Sequence, residues 1–190
     1  MDELLKFAPK PTGAGEMFQL LRNGQPRTRA ELAAITGQAR STIAARVDLL
    51  TSTGLIGPSG EATSTGGRPP TTFAFQPGAR IVLCVDLGAT HARLAVTDLG
   101  ARILAQRNAD LAISDGPAAV LAWVADAGRE LIAQAGRSMA ELVSVGLGLP
   151  GPVEHTSGRP ISPPIMPGWD GWDVRATLTQ ALGVPVLIDN

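Results

Sequence analysis

Arg40, Ser41, Thr42, Ala45 and Arg46 lie on one stretch whose apolar residues Ile43, Val47 and Leu50 recur at helical spacing. The polar set therefore faces outward. Short hydroxyls beside cations at a helix start are suited to reading base edges in a DNA major groove. Arg40 or Arg46 could pair bidentately with guanine, and Ser41 and Thr42 suit phosphates or either base. Thr28 and Arg29, at the start of the preceding helix, are further candidates for phosphate contact. A small helical interaction domain with solvated arginines would use the same residues. Downstream, Gly66-Gly67-Arg68-Pro69-Pro70 holds a guanidinium between residues that keep the chain extended and sterically free. That form fits a narrow, electronegative minor groove; an ordinary linker carrying one arginine is the alternative.

Three helices must position these side chains. Met17, Leu20 and Leu21 form the apolar stripe of the first, which ends near Asn23-Gly24. Thr28-Arg29-Ala30-Glu31 has the form of a capping box and opens the second, which is expected to bury Leu32, Ala33 and Ile35 before Gly37 turns the chain. The third runs from about Arg40 to Ser52. Leu55-Ile56 and Thr72–Phe75 can then pair as a hairpin, giving the order helix, helix, turn, helix, β-wing.

Ser59–Gly78, dense in Gly, Ser, Thr and Pro, marks a boundary beyond which the period changes to that of strands. Strands are expected over Ile81–Asp86, Thr90–Thr97, Arg102 to about Leu111, Leu142–Leu149 and Pro185–Ile188. Pro117 starts a helix through Ala135, and Asp173 caps a shorter one that ends at Leu182-Gly183. Three meandering strands followed by alternation predict an α/β sheet. The expected organisation is an arm over 1–15, a first domain with linker over 16–78, and a second domain over 79–190.

Composition narrows the classes. A chain that is 44% hydrophobic and 17% charged, with a net charge of −1, is not intrinsically disordered. Aromatics make up only 4%, with no Tyr, so the core must be built mainly from Ala, Val, Leu and Ile. Cys84 is the single cysteine, which excludes a disulfide framework, a zinc finger and an iron–sulfur site. No apolar run approaches ~18 residues, so neither a signal peptide nor a membrane span is expected and a cytoplasmic location is. Charge divides unevenly: residues 22–68 carry 6 Arg against Glu31, Asp48 and Glu61, while residues 79–190 hold 8 basic and 11 acidic groups. A basic module joined to an acidic one suggests two kinds of partner.

Met17 to Phe75, above all Thr28–Gly57 with Thr65-Gly66-Gly67-Arg68-Pro69, resembles the winged DNA-binding domain of ROK-family (repressor, open reading frame, kinase) regulators. The likeness continues through Asp86-Leu87-Gly88-Ala89-Thr90 and Gly146-Leu147-Gly148-Leu149-Pro150-Gly151 to the last residue. It implies an α/β protein with an N-terminal winged helix-turn-helix and, as second domain, one lobe of an actin-like, ribonuclease-H-like sugar-kinase fold. One departure is local. The family usually has Ser or Thr where Ala39 would cap the recognition helix, a loss of ~1 kcal/mol.

Asp86-x-Gly88-x-Thr90 resembles the first phosphate loop of that fold. Such a loop needs a glycine for close backbone approach, a hydroxyl, and a carboxylate near the metal. ROK kinases generally read Asp-x-Gly-Gly-Thr-Lys there. Ala89 and His91 replace the second glycine and the cation, so the resemblance implies a vestigial loop kept as a turn. Gly148-Leu149-Pro150-Gly151-Pro152 resembles the family's turn beside a bound sugar, and a strand-ending turn is the alternative. Trp169 and Trp172 could stack on a pyranose or pack in the core. At the chain end, Asn190 matches the Asn of an Asn-Asp pair in which Asn binds sugar and the following Asp is the catalytic base. Gly151 and Asn190 are thus the expected sugar-binding residues.

The resemblance implies a sugar-responsive transcriptional regulator, most readily a repressor, whose partners are an operator in double-stranded DNA and a sugar effector. Homodimerisation would belong to a full-length form. No catalytic residue, metal ligand or cofactor is expected in this chain, because the family's zinc site would lie beyond Asn190 and the second domain is expected to be incomplete at its C-terminus. The rival readings are a sugar kinase with an appended DNA-binding domain and a constitutive DNA-binding protein.

Overall fold

A computed structural model describes residues 13–62, 69–154 and 156–190. The chain divides into two compact units, one running to Pro77 and the other from Gly78 to Asn190.

The first unit holds helices α1 (Gly13–Leu21), α2 (Arg29–Thr36) and α3 (Arg40–Ser52) with strands β1 (Arg27–Thr28), β2 (Ile56–Glu61) and β3 (Thr71–Phe75). The strands form one antiparallel sheet in the order β1-β3-β2, with an irregularity between Pro58 and Gly60. Proline has no N–H to give a ladder and sits where the register already breaks. Met17, Leu21, Leu32, Ile43, Val47, Leu50, Ile56 and Phe73 close the core, and Phe18 meets Phe75 edge-to-face at 5.5 Å. Two expectations change. α1 begins at Gly13, inside the stretch expected to be a loose arm. Ile35 is 49% exposed rather than buried. It occupies the last turn of α2, where Gly37 at φ 68° ends the helix and turns the chain.

The second unit is built on strands β4 (Ile81–Leu87), β5 (His91–Asp98), β6 (Ile103–Asp110), β7 (Leu142–Gly148) and β10 (Val186–Asp189), in the order β10-β7-β4-β5-β6. β10, β7 and β4 run parallel, while β4, β5 and β6 form an antiparallel meander. Helices α4 (Pro117–Gln134) and α5 (Val174–Leu182) share one core with the sheet. Pro117 starts α4 with φ preset for a helix, and the Asp173 carboxylate accepts the Ala176 amide to start α5. Leu83, Val85, Leu94, Val96, Val145, Leu147 and Ile188 are buried, and strand alternation leaves Cys84, Asp86, Arg93, Leu187 and Asp189 exposed. A small hairpin, β8 (Val153–Glu154) with β9 (Arg159–Pro160), interrupts the expected alternation. Two-residue strands have no periodicity by which they could be foreseen.

Candidate functional site

The candidate side chains fall into two groups, one in each unit. In the first, the Glu31 amide donates to the Thr28 hydroxyl at 3.1 Å, and the Thr28 amide donates to the Glu31 carboxylate at 2.7 Å. This reciprocal pair fixes the start of α2. It also removes Thr28 from the set of candidate contacts, because the residue is 5% exposed and its donors are already engaged. The hydrogen bonds from the Thr28 backbone and then its hydroxyl hold Glu31 ionised below the usual glutamate range.

Helix α3 follows on a short turn. Its N-cap is Ala39, with no side-chain cap. Arg40, Ser41 and Thr42 are exposed on its first turn, and none has a hydrogen-bond or charge partner among the described residues. The first-turn amides and these side chains are therefore open to an incoming acceptor. Arg46 does not share that freedom. It donates to the Gln38 side chain, and its guanidinium lies where a side chain on Gly13 would stand. Expected to face outward to a base, Arg46 instead folds back over the turn between α2 and α3. Arg29 is also engaged, donating to Asp48 at 2.7 Å and lying 4.8 Å from the centre of the Phe73 ring. Asp48, Gln38 and Phe73 were not foreseen as part of this surface. Helical phase alone places Asp48 on the outward stripe of α3, but its partner lies 19 residues away. Arg68 lies outside the described residues.

In the second unit, strand order gathers residues that are far apart in sequence. Asp86 is registered beside Gly148, and Gly148 beside Asp189, so three parallel strand ends form one rim. Open α/β sheets bind ligands outside such carboxyl ends. Asn190 continues from β10 at this rim, and the Leu149 amide donates to the Asp189 carbonyl at 3.0 Å, bringing the turn before Gly151 alongside it. Gly151 is held by packing, since a Cβ there would come within 2.9 Å of the Met166 sulfur and 3.0 Å of Pro163. Of Trp169 and Trp172, Trp169 is fully buried and donates to the Ile113 carbonyl at 2.9 Å, so it belongs to the core. Trp172 is 37% exposed.

The loop Asp86–Thr90 is tied down on both sides. The Gly88 amide donates to the His91 carbonyl at 2.8 Å, while the Thr90 and Ala89 carbonyls accept from Leu111 and Ile113. The His91 imidazole lies across Gly88 and fills the space that a side chain there would occupy. Among the described residues, no three His, Cys, Asp or Glu side chains gather in a way that could hold a metal ion, and no helix is long and apolar enough to cross a membrane.

A mixed sheet with helices in one core, and a rim at its parallel strand ends, define an α/β lobe open to a ligand at that rim. The ROK family signature matches residues 82–190, and the chain belongs to that family. It is 26% identical over 172 residues to a xylose repressor of Bacillus spizizenii, an alignment covering 90% of this chain and 44% of the repressor. Among solved structures it resembles a ROK-family transcriptional regulator, a homologue of the Escherichia coli Mlc protein, with a TM-score of 0.74 and 22% identity over 94% of this chain and 45% of that one. It also resembles the ROK hexokinase of Thermus thermophilus, with a TM-score of 0.51 and 30% identity over 58% of this chain and 35% of that one. The chain spans less than half the length of the repressor and the regulator it matches.

Proposed function

We propose that this chain acts in a sugar-responsive transcriptional regulator, most simply a repressor. Its first unit would be a winged helix-turn-helix DNA reader and its second the first lobe of an actin-like sugar-binding domain. The observation that carries the reading is the exposed trio Arg40, Ser41 and Thr42 on the first turn of α3, whose side chains have no partner among the described residues. A cation and two hydroxyls exposed at a helix start, following a firmly capped α2, suit a helix that enters a major groove. α3 is then the recognition helix, β2 and β3 are the wing, and Arg68, which falls between those strands in sequence, would reach a minor groove. Gly151 and Asn190 at the strand-end rim would contact the sugar. Two copies on paired half-sites would change spacing when sugar prefers one arrangement, which is a shift of population. The relatives named xylose repressors make xylose the first effector to test.

Phosphoryl transfer has no part in this proposal, since the His91 ring covers Gly88 and the Gly88 amide is engaged. The test is fluorescence anisotropy of labelled duplexes with the full chain across a range of salt. Binding whose affinity falls as salt rises, and weakens further in Arg40→Ala, is expected. Affinity unchanged by Arg40→Ala would overturn the assignment of α3. ATP consumption in the presence of xylose or glucose would overturn the exclusion of kinase chemistry.

A further inference from the structure

Ser41, Ala45, Asp48 and Ser52 recur along α3 at helical spacing and are all exposed, so they form one outward stripe. This is the stripe that faces DNA if the reading above holds, and the present inference rests on that reading. A carboxylate on it is out of place, because a phosphate-lined groove repels an unpaired anion.

Asp48 is not unpaired. Arg29, from the first turn of α2, donates to Asp48 Oδ1 at 2.7 Å, and its guanidinium carbon stands 4.8 Å from the Phe73 ring centre. One cation thereby joins three elements: α2 carries it, α3 receives its hydrogen bond, and a ring of β3 lies beneath it. Both partners are well exposed, at 46% and 68%, so the pair adds little to stability in water. Its value lies in what it presents to an anionic partner.

We propose that Arg29 is a positioning residue of the DNA-reading surface, neutralising Asp48 and pinning α3 to the wing strand rather than reaching a phosphate itself. Asp48 is the complementary half of the device. It holds Arg29 away from the backbone, so the phosphate attraction of this surface falls to Arg40 and its neighbours.

A double-mutant cycle tests this on the full chain, with Arg29→Met, Asp48→Asn and the double variant. Each is titrated against a mixed-sequence duplex at several salt concentrations and melted in parallel. Methionine keeps an apolar stem on Phe73; Arg29→Gln serves the same cycle if the methionine variant does not fold. Arg29→Met alone should weaken binding about tenfold by exposing Asp48, while the double variant recovers to within about threefold of wild type. A loss of equal size in both backgrounds, with the salt slope falling by about one in each, would make Arg29 a phosphate contact and overturn the proposal. An unchanged affinity in Arg29→Met would also overturn it. Wild-type protein that binds no duplex at low salt would instead overturn the DNA-binding reading on which it rests.

Discussion

Thr28 and Glu31 hold each other by two reciprocal hydrogen bonds, amide to hydroxyl at 3.1 Å and amide to carboxylate at 2.7 Å. The start of α2 rests on this pair. Thr28, which the sequence offers both as a cap and as a phosphate contact, is a cap in the fold.

Removing the cap should cost stability and should do so in a pH-dependent way. Thr28→Ala is expected to lower unfolding free energy by about 1 kcal/mol. Glu31 is held below the usual glutamate range, so its contribution is complete above the unfolded-state pKa and fades as pH falls through the folded one. Denaturant melts should show wild type losing more stability than Glu31→Gln as the solution is acidified through the glutamate range. Parallel acid limbs would deny Glu31 that role.

The wing can be tested through its arginine. Arg68→Ala is expected to weaken duplex binding, most where the flanks are AT-rich and the minor groove narrow, and to lower the salt slope by about one. Equal losses on AT-rich and GC-rich flanks would reassign Arg68 to simple phosphate contact.

Gly128 in α4 lies close over β4: a Cβ there would come within 2.7 Å of Leu83 Cδ2. Leu83 is fully buried and cannot swing away into solvent. Gly128→Ala should therefore destabilise the second unit by about 1–3 kcal/mol from overpacking, less about 1 kcal/mol regained in helix propensity. Adding Leu83→Val should recover part of the loss. A stabilised Gly128→Ala would mean that the sheet and helix can separate freely.

The hairpin of β8 and β9 should be sensitive to acid. Hydrogen bonds from the Ser157 side chain, and from the Ser157 and Thr156 amides, pull the Glu154 pKa down to about 2. Because the folded value is depressed, the carboxylate's stabilisation is present above the ordinary glutamate pKa and lost as pH falls toward about 2. Amide chemical shifts of Thr156 and Ser157 should titrate at that low pH in wild type and not at all in Glu154→Gln.

What the sequence determined by itself is whatever is local. The capping box at Thr28, the missing cap at Ala39, the proline at the head of α4 and the Asp173 cap of α5 are each settled within a few residues. So are the buried stripe of α3 and the antiparallel meander after Ile81, because helical and strand periods are short-range properties. Tertiary structure decided the rest, where partners lie far apart along the chain. It set Arg29 on Asp48 and Phe73, turned Arg46 back to Gln38, buried Trp169 against the Ile113 carbonyl and left Ile35 in solvent. It also brought Asp86, Gly148 and Asp189 to one rim, which follows from strand order alone. A side chain's type and helical phase say which way it points. Only the packed neighbours decide whether a charge pointing outward is free to meet a ligand or already held by the protein itself.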